Sequence, residues 1–221
     1  MTYSVPLALV DFLPVILSAL GFFALARWAG LAGAPYRQAG FLGAGLVITG
    51  GTIKALWKLI IASSGVDIPW MASQLFWFMA PGFVFLAWVA LAKANGGRSI
   101  FGNAWIAPAL VALLALGAAW FRPAVAGRSS GILLVVMSAA SLVLTLVALR
   151  ACLQAGLKLQ AGALAMNIAL TFLLVRLARK DQTVLLQWCE ETNNVLAQGA
   201  LFFAAASLLA HALKHERTTA S

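Results

Sequence analysis

Residues 187–210 read QWCEETNNVLAQGALFFAAASLLA. The stretch opens on a dense polar cluster and continues as an apolar run. Gln187, Glu191, Asn194 and Gln198 recur at spacings of four, three and four, so a helix places them on one face. Glu190 and Asn193 sit beside that stripe. The segment is apolar enough to cross a bilayer, yet its first half is unusually polar for such a segment. Ionisable groups at membrane depth are costly and are usually kept for a task. The same stretch therefore argues for a transmembrane helix and for a candidate functional surface.

The rest of the chain agrees with a membrane setting. Of 221 residues, 63% are hydrophobic and 10% charged, with a mean hydropathy of +0.96. A soluble domain is about half apolar and about a quarter charged. Seven apolar spans are expected, at roughly 5–28, 39–62, 69–92, 100–121, 131–152, 159–177 and 188–213, each near the ~20 residues a spanning helix needs. Strands of a membrane barrel would alternate at every second residue, and these runs do not. The expected fold is all-α, a polytopic membrane protein of seven helices forming a single transmembrane domain over residues 1–221. Little chain lies outside the spans, so no attached kinase or cyclase module is expected. The N-terminus lacks a basic leader and Asp11 interrupts the first apolar run, so no cleavable signal peptide is expected.

The formal charge of +9 does not point to nucleic acid. The basic residues fall at helix ends in ones and twos, as snorkelling side chains and the positive-inside rule give, and no block of like charge forms the footprint that nucleic acid needs. Membrane lipids and a small polar or charged solute are the expected partners; self-association is left open. With the N-terminus outside, the inner side holds Arg27, Arg37, Lys93, Arg98, Arg150, Lys158, Lys214 and Arg217 against Glu216. The outer side holds Lys54, Lys58, Arg122, Arg128, Arg176, Arg179 and Lys180 against Asp11, Asp67, Asp181, Glu190 and Glu191. The basic counts hardly differ; partial neutralisation of the outer set favours an external N-terminus, a cytoplasmic C-terminus and a cell (inner) membrane. Cys152 and Cys189 then face opposite sides and form no disulfide.

The second and sixth spans share a pattern: Gln38-Ala39-Gly40 matches Gln160-Ala161-Gly162, Thr49 matches Thr171, Lys54 matches Arg176 and Lys58 matches Lys180. The third and seventh share Phe85 with Phe202 and Leu91 with Leu208. Chance similarity among Leu/Ala/Gly-rich segments is the alternative. As a repeat, the halves 5–92 and 131–213 are parallel and joined by a linker helix at 100–121. That three-plus-one-plus-three plan resembles the SWEET and PQ-loop transporters and the vitamin transporters built alike, in topology only. No Pro is followed by Gln in this chain, so no family residue carries over.

The expected topology brings the ends of spans two and six level with the start of span seven. Lys54, Lys58 and Arg176 can then meet Glu190 and Glu191 in an ion-paired vestibule between spans two, six and seven, which Asn194 and Gln198 continue inward. Glu191 would be the proton or cation partner, Lys54 or Arg176 the anion partner, and Asn194 and Gln198 would bond a polar ligand. Each has a plainer reading. Glu190 stabilises the positive end of its helix, and Lys58 and Lys180 snorkel at the interface. Asp11, three residues before Pro14, either caps the first helix or projects into the vestibule, and the cap is preferred. Asn167 and Thr171 hydrogen-bond across helices, and Ser138, Ser141 and Thr145 form a packing face. Trp77 and Trp88 pack in the core rather than stack a ligand.

Three functions remain: a transporter or channel, a lipid-modifying enzyme using Glu190 and Glu191, and a non-catalytic receptor or assembly partner. The first is preferred. No catalytic residue, cofactor or metal site is expected. His211 and His215 are the only histidines and lack further ligands; no GxSxG, HExxH or P-loop occurs.

Overall fold

A computed structural model describes residues 4–98, 103, 105–120, 128–177, 180 and 183–220. Arg122, Arg179 and Asp181, and the expected ends of the fourth span at Ile100 and Phe121, lie outside the described residues, as does the side chain of Arg128.

The described residues form helices and no strand. The first apolar run yields two consecutive pieces, α1 (Val5–Val10) and α2 (Phe12–Ala29), with Asp11 between them. Pro14 explains the interruption, since it has no N–H to offer the carbonyl of Val10 and its ring crowds that carbonyl. A 31-residue helix, α3 (Ala34–Ser64), follows. Pro35 stands in its first turn, and Gly65, at φ 70°, closes it by donating its N–H to Ile61. Then come α4 (Pro69–Ala94), α5 (Ile106–Trp120), α6 (Arg128–Gln154), α7 (Lys158–Leu177) and α8 (Val184–Ala220). Six of these segments are long and apolar enough to cross a membrane, the α1–α2 pair counting as one. The described part of α5 has 15 residues, about 22 Å at 1.5 Å per residue, short of the ~30 Å hydrocarbon layer.

The surface fits that class. Leu9, Leu13, Ile16, Leu20 and Phe23 stand on one outward stripe of α1 and α2 and are all largely exposed. A soluble monomer rarely leaves so continuous an apolar strip in water; lipid tails cover it at no cost.

Inside, α2 packs on α3 and α8, α3 on α4, α4 on α6, α6 on α7 and α7 on α8, while α5 lies against α4 and α6. The α3–α4 seam is the closest. A Cβ at Gly43 would come within 2.7 Å of the Gly82 carbonyl oxygen, and one at Gly82 within 2.7 Å of Val47. Glycine at both positions lets the two backbones meet. Phe22 and Phe83 stack edge to face, with centroids 5.2 Å apart, and join α2 to α4 in the core.

Candidate functional site

The break at Asp11 positions the site. The expectation that this residue caps the first helix is overturned: Asp11 lies in the right-handed helical region, at φ −60° and ψ −19°, and its side chain makes no capping bond. It reaches Lys58 of α3 instead, with Oδ2 3.0 Å from Nζ. The same ammonium donates to Oε1 of Glu191 on α8 at 2.7 Å. Lys58, expected to snorkel at the interface, is thus the hub of a three-element clamp. Its side chain is 16% exposed and those of Asp11 and Glu191 are 11% and 8% exposed. Charges this far from water persist where they pair.

The clamp closes one end of a cavity of about 460 Å³. From the Lys58–Glu191 pair its wall continues along α3 through Lys54, Gly51 and Val47, and along α8 through Asn194, Gln198 and Leu201. The two helices run antiparallel past it. Lys54 lies one turn, about 6 Å, beyond Lys58, at the level of the residues between Asn194 and Gln198. Residues from α6 (Ser138, Ser141, Thr145) and α7 (Asn167, Thr171) form the opposite wall. Phe22, Met79 and Phe83 supply an apolar side.

Three polar groups in this space are without protein partners among the described residues. Lys54 makes no ion pair or hydrogen bond there, although it is near enough to Asp11, Glu191 and Glu190 to feel their charges. Oε2 of Glu191 and Oε1 of Gln198 are buried and accept no hydrogen bond. Native interiors leave few such groups, and each calls for an explanation such as a ligand or water.

The hydroxyl wall differs from these. Ser18, Ser141, Thr145 and Thr171 donate to carbonyls of their own helices, those of Val15, Ser138, Ser141 and Asn167. Their protons are committed, so they face the cavity as acceptors. Ser138, Ser141 and Thr145, expected to form a packing face, line the cavity. Asn167 also lines it, and its amide bonds the Ala197 carbonyl across α7 and α8 at 2.8 Å.

Two expected pathway residues lie elsewhere. Arg176 is exposed and does not line the cavity; on α7 its position is one residue past Val175, and the face of α7 turned inward carries Asn167, Thr171 and Leu174. Asn193 is 7% exposed and donates to the Leu170 carbonyl at 2.9 Å, which makes it a tie between α7 and α8. Gln187 is buried with its side-chain oxygen unpaired, outside the cavity lining. Glu190 does line it. Trp77 meets Trp120 edge to face at 6.4 Å, and neither Trp77 nor Trp88 borders the cavity.

For Asp11, sequence reasoning preferred a helix cap to a place in the vestibule, and the structure puts it in the cavity wall. The signal that could have found it is Pro14, which breaks the helix where an acid must otherwise lie in lipid. The cavity as a whole draws on six apolar segments, α2, α3, α4, α6, α7 and α8, and on Asp11, rather than on three spans. No known family model matches this sequence, and no curated protein or solved structure matches it either.

Proposed function

We propose that this chain is an integral membrane transporter or channel that passes a small polar or charged solute through the cavity between α3, α6, α7 and α8. The observation that carries the reading is the set of unpartnered polar groups, Lys54, Glu191 Oε2 and Gln198 Oε1, inside a helix bundle of membrane-spanning character. In a structural cluster these groups would bond one another. Here Lys58 closes the charge pairs at one end of the cavity, and the groups next to it remain open.

The proposal includes seven crossings in a cell (inner) membrane, an external N-terminus and two parallel three-helix halves. The packing supports the halves. Exchange of α2 with α6, α3 with α7 and α4 with α8 maps the α3–α4 pair onto α7–α8, α2–α3 onto α6–α7, and α2–α8 onto α6–α4. Transporters built from repeats hold their substrate where the halves meet, and the cavity takes residues from both.

The test is flux. Purified protein in liposomes is loaded with a panel of radiolabelled amino acids, sugars, organic anions and inorganic ions. A transporter or channel passes one class above protein-free liposomes, and Gln198→Leu lowers that flux at least tenfold. No flux for any class, together with an altered lipid in cells carrying the gene, would remove transport in favour of an enzyme.

A further inference from the structure

We infer that the cavity binds a small zwitterion bearing one anionic group and one primary ammonium, the chemistry shared by free amino acids and by a phosphoethanolamine headgroup. This rests on the cavity being a ligand site, as the transport reading holds, and narrows what enters it.

The open groups dictate the match. Lys54 has three donors and no acceptor, and among the described residues no carboxylate lies within salt-bridge distance of it. It asks for an anion. Glu191 is 6% exposed and has spent one carboxylate oxygen on Lys58. Its second oxygen, like the Gln198 oxygen, asks for a donor. Ser141, Thr145 and Thr171 add acceptors to the wall. A simple anion would satisfy Lys54 and leave both oxygens stranded. A simple amine would satisfy the oxygens and add a second cation beside Lys54. One molecule carrying both charges satisfies all three, and it enters and leaves without changing the charge of a site in low dielectric.

The geometry allows this. Lys54 stands level with the residues between Asn194 and Gln198, so an anion there also reaches the amide donors of α8. Glu191 and Gln198 are two turns apart on α8, about 10 Å, so the ammonium sits between them and reaches both oxygens, one directly and the other through water. The apolar remainder of the ligand meets Phe22, Met79 and Phe83. Leu134 on α6 and Phe172 and Val175 on α7 line the cavity and are exposed, so the wall is open between these two helices, where a lipid tail can leave.

Binding separates the two sources without requiring transport. Radiolabelled leucine is titrated onto protein in nanodiscs of phosphatidylcholine, whose quaternary ammonium has no N–H to donate. The competitors are 4-methylpentanoate, which lacks the ammonium, and isoamylamine, which lacks the carboxylate. In parallel, native mass spectrometry of delipidated protein counts bound phosphatidylethanolamine against phosphatidylcholine. The expected result is saturable leucine binding with both competitors at least tenfold weaker, or selective retention of phosphatidylethanolamine, and loss of that binding in Lys54→Met and in Gln198→Leu. Circular dichroism and gel-filtration profiles matching the parent show that the variants are folded; Lys54→Arg keeps the cation and retains part of the binding. The inference is overturned when either singly charged analogue competes as well as leucine, when Lys54→Met binds as the parent does, or when neither zwitterion binds. A failed transport reading looks different: leucine binds in nanodiscs and no labelled solute crosses liposomes. Gln198-dependent flux of a sugar or inorganic ion, without zwitterion binding, sinks this inference and leaves transport standing.

Discussion

Replacing Lys58 with methionine removes the hub of the clamp and leaves two carboxylates facing each other in the bundle. Lys58→Met keeps the length of the stem, so the packing change is small. The electrostatic change is large. Asp11 and Glu191, at 3.0 and 2.7 Å from the ammonium, lose their shared counter-ion. Breaking a buried ion pair on one side costs about 3–5 kcal/mol. For a chain of this length each kcal/mol moves Tm by roughly 2–4 °C on the soluble-domain scale, which gives a drop of about 6–20 °C. The triple variant Asp11→Asn, Lys58→Met, Glu191→Gln removes all three charges and retains hydrogen-bonding shapes. It should recover most of the loss, to within about 2 kcal/mol of the parent, because an uncompensated charge costs far more than an absent pair. Cys152 provides the assay. It is completely buried, whereas Cys189 is exposed, so in a Cys189→Ser background a thiol-reactive fluorophore reports unfolding in detergent through Cys152 alone. A Lys58→Met protein that melts within about 2 °C of the parent, or a triple variant as damaged as the single one, would refute the clamp.

Other outcomes follow from the same structure. Lys54→Met should melt at or above the parent temperature, since it removes a cation that has no protein partner among the described residues, while abolishing flux or ligand binding; a clear loss of stability would show that Lys54 is a structural residue. Gly82→Val should cost at least about 1–3 kcal/mol by overpacking the α3–α4 seam, seen as a lower Tm or lost yield, whereas Gly45→Ala, which meets open space, should leave Tm near that of the parent. Asn193→Ala should cost about 0.5–1.5 kcal/mol by removing the bond to the Leu170 carbonyl and leave ligand affinity unchanged; an altered affinity would put Asn193 back among the cavity residues. In intact cells an impermeant maleimide should label Cys189 from outside and leave Cys152 unlabelled, and labelling of Cys189 only in inverted vesicles would reverse the proposed orientation.

Much of the fold was legible in the chain because lipid imposes simple rules. Apolar length located the long helices, and prolines and glycines marked their ends. Helical spacing put Glu191, Asn194 and Gln198 on one face, and helix direction put Lys54 and Lys58 near the same level. Arg176 and Asn193 were harder. Their levels along the bundle were right, but level says nothing of azimuth, and a turn of about 100° per residue carries a side chain from cavity to lipid within one position. Lys58 and Asp11 illustrate a second limit. A lysine near the end of a span snorkels unless a carboxylate stands opposite, and an acid before a proline is a cap unless a lysine is in reach. Either choice depends on a contact between residues 47 positions apart along the chain.

That the chain is helical, that its apolar segments suit a bilayer, and that α8 carries a polar face could all be read from the residues alone. These follow from local hydropathy and periodicity, which need no partner. Only the tertiary structure decided that Asp11, Lys58 and Glu191 form one clamp, that Lys54, Gln198 and the second oxygen of Glu191 remain open beside it, and that a cavity separates α3 and α8. The energy of a buried charge is set by what stands within a few ångströms of it, and that neighbour comes from another helix.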